Sequence, residues 1–452
     1  MTTHASAASA AHDIDSAYAW RRLWTALALG TVGSVGMWSA VVALPAVQAD
    51  FGIARGSASL PFTLTMIGFG AGGIVMGRLA DRFGVVRPLL IGVIALVAGY
   101  LLSAFATNIW QFALAQGLLG FGASGSFGPI MTDISHWFEK RRGIAVALAS
   151  CGNYLAGTIW PPLIQYFIST QGWRATQVGI GLICAVAMLP LILAMRRPAP
   201  AHAMRIAGTV SSGTRGTLGL SSNALMGLLI VAGVACCVAM SMPQVHIVAY
   251  CGDLGYGPAR GAEMLSAMLG FGLISRIACG FIADRIGGVA TLLISSVLQG
   301  VALFLYLLFD GLMSLYVISA LFGLFQGGIV PMYAIIVREY FAPSEAGTRL
   351  GIVLMATLGG MALGGWMSGV IFDLTGSYMA AFLNGLGWNL INVTIVAWLL
   401  MRRGGRRSLL RHDTNAANVR VGYQTRNGPE RAVSPAQRVK LIEQRCAACR
   451  RV

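Results

Sequence analysis

Charge is scarce in this chain. Of 452 residues only 11% are Asp, Glu, Lys or Arg, against about 25% in a soluble globular domain. An ordinary soluble enzyme is thereby excluded. A hydrophobic content of 56% also excludes disorder, which requires low hydrophobicity. Lysine is almost missing, with Lys140 and Lys440 the only two. No Gly-rich loop ending in Gly-Lys-Ser or Gly-Lys-Thr occurs, which argues against an ATP-driven pump. The eight cysteines, at 151, 184, 236, 237, 251, 279, 446 and 449, build no metal framework. Most lie in apolar runs, where Cys behaves as a small hydrophobe. Cys446 and Cys449 form a single CxxC, and a zinc site needs about four ligands. Residues 1–19 are polar and rich in Ala and Ser, without the apolar core of a cleavable signal. Neither a metal nor a cofactor is expected.

Long apolar runs are what the chain has instead, and mean hydropathy is +0.72. A membrane helix needs about 20 mainly apolar residues. Twelve such spans are read at 23–44, 60–80, 89–107, 109–132, 143–167, 175–195, 223–247, 262–283, 288–309, 312–337, 349–372 and 379–401. Pro129, Pro161, Pro162, Pro243 and Pro331 fall inside them or near their ends, which membrane helices tolerate where the freed backbone lines a cavity. Glycine runs such as Gly68-x-Gly70-x-Gly72-Gly73 and Gly359-Gly360-x-x-x-Gly364-Gly365 lie within spans. There they allow close helix packing and resemble nucleotide loops only superficially.

The net charge of +16 invites a nucleic-acid reading, but its placement argues otherwise. Residues 402–452 hold 13 Arg and Lys against Asp413, Glu430 and Glu443, so +10 sits in a tail expected to be disordered and cytoplasmic. With the N-terminus inside, inner segments hold fifteen basic residues, Arg21 and Arg22 first among them, and outer loops only Arg55, Arg174 and Arg260. That bias orients the bundle. Residues 196–222 carry four Arg, no acid and a Ser/Gly/Thr-rich stretch, as a flexible linker would. The expected organisation is a short inner N-terminal segment (1–22), a six-helix bundle (23–195), the linker, a second six-helix bundle (223–401) and the basic tail.

The two bundles repeat. Gly77-Arg78-Leu79-Ala80-Asp81-Arg82-Phe83-Gly84-Val85-Val86-Arg87 follows the second span. Gly280-Phe281-Ile282-Ala283-Asp284-Arg285-Ile286-Gly287 follows the eighth. Duplicated six-span halves are the mark of a rocking transporter with parallel repeats. An Asp in such a loop can accept hydrogen bonds from a neighbouring helix N-terminus and latch the inner face shut. Candidate gating residues are therefore Gly77, Asp81, Arg82, Gly84, Arg87, Gly280, Asp284, Arg285 and Gly287. This loop resembles the cytoplasmic signature of the major facilitator superfamily. Lys140-Arg141-Arg142-Gly143-Ile144-Ala145 with Gly152, Gly157, Pro161-Pro162-Leu163 and Gly172-Trp173-Arg174 resembles its monocarboxylate branch. So does Val245-His246-Ile247-Val248-Ala249-Tyr250 followed by Asp253-Leu254-Gly255-Tyr256. The nearest look-alikes are bacterial monocarboxylate and oxalate/formate-type carriers, over residues 20–402. The resemblance implies an all-α membrane fold of twelve helices in two pseudo-symmetric halves.

Arg276 carries the functional expectation. It lies roughly 5 Å from the middle of span eight at 1.5 Å per residue, where an Arg costs about 2.5–3.5 kcal/mol on insertion scales. A buried guanidinium needs an acceptor, and its planar fork fits a carboxylate. Carriers of the resembling branch use an Arg on this helix for the substrate carboxylate; the structural alternative is an Arg held by backbone carbonyls. Span eleven has no Lys or Arg between Leu350 and Phe372, so the second cation of oxalate-type exchangers is missing and a monoanion is favoured. Other departures concern protons. The Asp found four residues before the Arg in some animal lactate carriers is Gly272 here. The Arg found three before the Gln-Gly of span four is Ala113.

Asn153, Tyr154, Gln326, Trp38 and Trp366 have depth and polarity compatible with a substrate cavity, or with plain interhelical bonding. His246 reads either as a titrating group at the outer mouth or as a solvated interfacial side chain. Asp133, near Glu139 and Lys140–Arg142, reads as a salt-bridge partner. Trp20, Trp24, Trp110 and Trp173 read as interface-belt residues. The expected function is secondary transport of a small organic monoanion across the inner membrane, with a proton or an exchanged anion as candidate co-substrate. The protein is expected to be a monomer, not an enzyme and not a partner of nucleic acid. Two alternatives stand beside this: an exporter of a drug-like or other metabolite, and a non-transporting membrane sensor or scaffold. The charge bias makes a direct prediction. A C-terminal tag should be reached only after cells are permeabilised, and labelling of intact cells from outside would refute the orientation.

Overall fold

Sixteen helices and no strand make up residues 14–197 and 220–426, which are the residues described by a computed structural model of the protein. α1 (Ala17–Gly33) and α2 (Val35–Phe51) form the first span, interrupted at Ser34. α3 (Arg55–Phe83) and α4 (Val86–Ala104) are the second and third. α5 (Ile109–Ser124) with α6 (Gly128–Trp137) is the fourth, α7 (Arg142–Ser150) with α8 (Gly152–Gln171) the fifth, and α9 (Trp173–Ala194) the sixth. In the second half α10 (Ser222–Asp253), α11 (Pro258–Ile286) and α12 (Gly288–Leu308) are single helices. α13 (Leu312–Gln326) with α14 (Ile329–Tyr340) is the tenth span, α15 (Pro343–Thr375) the eleventh and α16 (Tyr378–Arg426) the twelfth. Eleven of these twelve are long and apolar enough to cross a membrane. The fourth falls short only because the turn at Gly125–Phe127 divides it into 16 and 10 residues.

Most helices outrun the spans read from hydropathy. α3 starts at Arg55 and α15 at Pro343, five or six residues before the apolar window, because backbone bonding continues where side chains turn polar. The twelfth helix also continues to Arg426, so the tail expected to be disordered from Arg402 begins as helix. Among the described residues, those from Met401 to Arg426 belong to a unit separate from the one that ends at Leu400. The linker between 198 and 219, and Cys446 and Cys449, lie outside the described residues.

Backbone-to-backbone approach at glycine is the packing device, and it repeats. A Cβ on Gly68 would stand 2.0 Å from the carbonyl oxygen of Gly117, and one on Gly120 would stand 2.0 Å from that of Thr65. Spans two and four are thereby in contact through main chain. Spans eight and ten meet the same way, with Gly323 at 1.9 Å from the Met268 oxygen and Gly327 at 2.2 Å from that of Gly272. Spans four and ten also break at matching places, ahead of Pro129 and Pro331. Interrupted segments in corresponding positions of two repeats point to the binding region.

Polar side chains tie each half internally. Asn392 donates to Ser296 (2.8 Å), Tyr333 to Asn392 (3.3 Å) and Asn389 to Gln299 (3.3 Å), joining spans nine, ten and twelve. In the first half Asp133 does form a salt bridge, and its partner is Arg22 of span one. The pair is buried and bidentate, at 2.7 and 2.9 Å, and Arg22 also donates to the Met195 carbonyl at 3.1 Å. Its guanidinium lies 4.7 Å from the Trp137 ring. Spans one, four and six are therefore stapled at one end. Removing one member of a buried pair strands the other, at about 3–5 kcal/mol. Asp133→Ala should lower the thermal midpoint of the purified protein by that equivalent, and the double change Arg22→Met with Asp133→Leu should restore most of it. Equal instability of the single and double variants would disprove the staple.

Candidate functional site

The fifth span breaks at Cys151, between α7 and α8. A helix end leaves carbonyls without intrahelical donors, and the carbonyl of Ser150 at this break accepts from Arg276 Nη1 at 3.2 Å. Arg276 comes from α11 in the other half. Its guanidinium carbon lies 4.3 Å from the centre of the Tyr154 ring, a cation–π distance. The side chain is half-buried and its Nε is buried without a hydrogen-bond partner. Among the described residues no carboxylate lies within ion-pair distance of it. Two neighbours extend the cluster. Trp38 Nε1 donates to the Asn153 carbonyl at 3.3 Å, and the Asn153 side-chain oxygen is buried without a partner. Gly157 seats the Trp38 indole, whose nearest atoms would lie 3.0 Å from a Cβ there.

Gly272 has a structural reason. A Cβ at that position would come 2.5 Å from Cε1 of Tyr154. The ring that stacks on Arg276 thus occupies the space an acid four residues before the Arg would need. Gln326 ends α13 at the break of span ten, fully buried, with neither amide atom hydrogen-bonded. It adjoins Gly327, which packs on Gly272.

Two expected residues sit apart from this cluster. His246 is fully buried rather than solvated. Its Nε2 donates to the Gly365 carbonyl at 2.8 Å, Nδ1 has no partner, and the ring lies 6.2 Å from that of Tyr378. Trp366 is 40% exposed. Among the belt tryptophans Trp24 and Trp110 are exposed, but Trp173 is buried between Phe51 and Phe112.

The candidate gating residues occupy one end of the bundle. Asp81, Arg82, Gly84, Arg87, Asp284 and Arg285 are all exposed. Arg82 and Arg87 lie over the Phe83 ring. Among the described residues neither Asp81 nor Asp284 has an ion-pair or hydrogen-bond partner, and Cβ atoms on Gly77 or Gly280 would meet nothing within 4 Å. Contacts between the halves concentrate at the opposite end. There Arg55, treated in sequence as a stray outer-loop cation, is buried against Asp253, Asp373 and Tyr378 of the second half. The other two outer-loop cations are also paired, Arg174 with Asp50 at 2.7 Å and Arg260 with Glu263 at 3.0 Å. A cavity of about 370 Å³ opens nearby, lined by Tyr250, Asp253, Tyr306, Asp310 and Tyr378. It lies wholly within the second half and does not include Arg276.

Two halves built on the same glycine contacts, each closing on an Asp-Arg loop, set the expectation for a sequence-wide match. The Major Facilitator Superfamily profile covers residues 26–314 and 253–421. The chain belongs to that superfamily. It is 30% identical over 322 residues to monocarboxylate transporter 13 of Bos taurus, spanning 69% of this chain and 72% of that one. It is likewise 30% identical over 328 residues to monocarboxylate transporter 11 of Homo sapiens, at 68% and 67% coverage. A solved mutant of the nucleoside transporter NupG superposes with a TM-score of 0.66 at 14% identity, over 83% of this chain and 99% of that one, which establishes the fold. The Arg55 cluster had no signal in the sequence, because the start of α3 five residues before the apolar window is seen only in the structure.

The fit between Gly272 and Tyr154 can be tested by stability. Gly272→Asp should destabilise by about 1–3 kcal/mol through overpacking, and Tyr154→Ala should relieve most of that in the double variant. A thermal midpoint unmoved by Gly272→Asp would show that the ring yields freely.

Proposed function

We propose that the protein is a secondary active transporter that moves a small organic monoanion across the membrane by alternating access of a site at Arg276. One observation carries the reading. A guanidinium near the middle of a span lies against the Tyr154 ring, donates to the Ser150 carbonyl and keeps a buried Nε with no acceptor. An arginine fork held this way is one carboxylate short of satisfaction. The names of the two relatives, both monocarboxylate transporters, support the same cargo class, and the cation-free eleventh span supports a single negative charge.

In this reading Arg276 binds the carboxylate and Tyr154 fixes the guanidinium plane. Asn153, Trp38 and Gln326 offer polar or aromatic contacts to the rest of the cargo. His246 and Trp366 belong to the wider path. Asp81, Arg82, Arg87 and Asp284, Arg285 close the inner face when the halves rock, with Gly77, Gly84, Gly280 and Gly287 allowing that approach. Both termini face the cytoplasm, the membrane is the plasma membrane, and the protein performs no catalysis. A proton or an exchanged anion accompanies the cargo.

Acid against amide uptake in proteoliposomes tests the claim. The wild type should take up a monocarboxylate and discriminate against its amide. Arg276→Ala should lose about 2–5 kcal/mol of binding, some 30-fold or more in affinity. Arg276→Lys should fail too, because a point-charge ammonium does not reproduce the planar fork. The Ala variant still inserts, since it removes a cost of insertion. Equal loss for acid and amide would make Arg276 structural. Full acid uptake by the Ala variant would sink the monocarboxylate reading, and cargo accepted without regard to charge would favour the drug-like alternative.

A further inference from the structure

We infer that Arg55 and Asp373 form a latch between the two halves at the end of the bundle opposite Asp81, and that this latch must break for the Arg276 site to open on that side. The inference rests on alternating access as proposed above.

The latch begins with a missing cap. α3 is 29 residues long, its N-cap is Ala54, and no side chain of its own half caps it. The first N–H groups of a helix have no intrahelical acceptor. Here Asp373, near the end of α15 in the other half, accepts from Arg55 N at 2.8 Å and from Gly56 N at 2.6 Å. The cap is supplied across the seam, and the helix dipole offsets the carboxylate charge. Two glycines make the approach possible. A Cβ on Gly56 would lie 2.8 Å from Val370 Cγ2 and 3.1 Å from Asp373 Oδ2, and one on Gly369 would lie 2.9 Å from the Arg55 oxygen.

The Arg55 side chain continues the grip. Its Nη2 lies 3.0 Å from Asp253 Oδ2, its Nη1 donates to the Tyr378 hydroxyl, and its guanidinium lies 4.9 Å from the Phe372 ring. Tyr378 in turn donates to Asp253 at 3.1 Å. One residue of the first half therefore engages α10, α15 and α16 of the second. Thr63 extends the seam inward by donating to the Ala362 carbonyl at 3.0 Å. The chemistry resembles that expected of Asp81, a carboxylate on a foreign helix N-terminus, but it is found at the opposite end while Asp81 and Asp284 stand exposed. Rigid halves that rock about a central site bring only one end together at a time, so closure here and exposure there describe one state.

Ser59 reports on the latch. It is fully buried beneath it, against Gly369. In a Ser59→Cys background, labelling of intact cells by a membrane-impermeant maleimide should be slow, with the chain lacking that change as blank. Adding Asp373→Asn or Arg55→Gln should raise the initial labelling rate at least about fivefold, the lower end for losing a cap of ordinary strength. Monodisperse elution of each variant confirms folding, and either variant alone suffices for the comparison. A folded variant that labels at the background rate overturns the latch. No substrate enters this measurement, so its failure leaves the Arg276 cargo reading standing, and loss of acid preference in uptake leaves the latch standing.

Discussion

Inside a bilayer every backbone N–H and C=O must find its partner within the protein, and the rest of this structure depends on that constraint. It makes every described span a helix. It also gives a special value to the few points where a helix is interrupted, because those points release carbonyls or amides that something must satisfy. The break at Cys151 releases the Ser150 carbonyl, and Arg276 takes it. The uncapped start of α3 exposes the amides of Arg55 and Gly56, and Asp373 takes them. Both the candidate site and the latch are therefore places where one half completes the backbone of the other.

The duplication supplies scaffold rather than chemistry. Spans two and four and spans eight and ten meet through the same glycine-to-carbonyl approaches, so the halves share a way of packing. Their functional groups are not shared. The deep guanidinium belongs to the second half and finds its aromatic face in the first. The Arg55 guanidinium belongs to the first and finds its carboxylates in the second. Interactions that cross the seam are the ones a rocking of the halves would make and break, whereas those buried inside a half, such as Arg22 with Asp133, hold that half together.

Close packing also explains a departure from the lactate-carrier pattern. An Asp one helical turn before the deep Arg would pair with the guanidinium and neutralise it. In this chain Gly272 leaves that volume to the Tyr154 ring, which engages the cation through its face without neutralising it.

The sequence by itself determined the number of spans, their duplication and the depth of Arg276, because hydropathy, repetition and the cost of a charge in hydrocarbon are local properties of the chain. It also marked Asp133 as an ion-pair partner and the glycine runs as packing surfaces. Only the tertiary structure decided who meets whom. Arg22 is 111 residues from Asp133 and Asp373 is 318 from Arg55, separations at which no periodicity links two positions. It moved His246 and Trp173 from a solvated interface to the interior, since a span's polar end is buried or exposed according to its neighbours and not its composition. And it turned Arg55 from one of three outer-loop charges into a junction between halves, because a carboxylate placed on a bare helix end is created by packing alone.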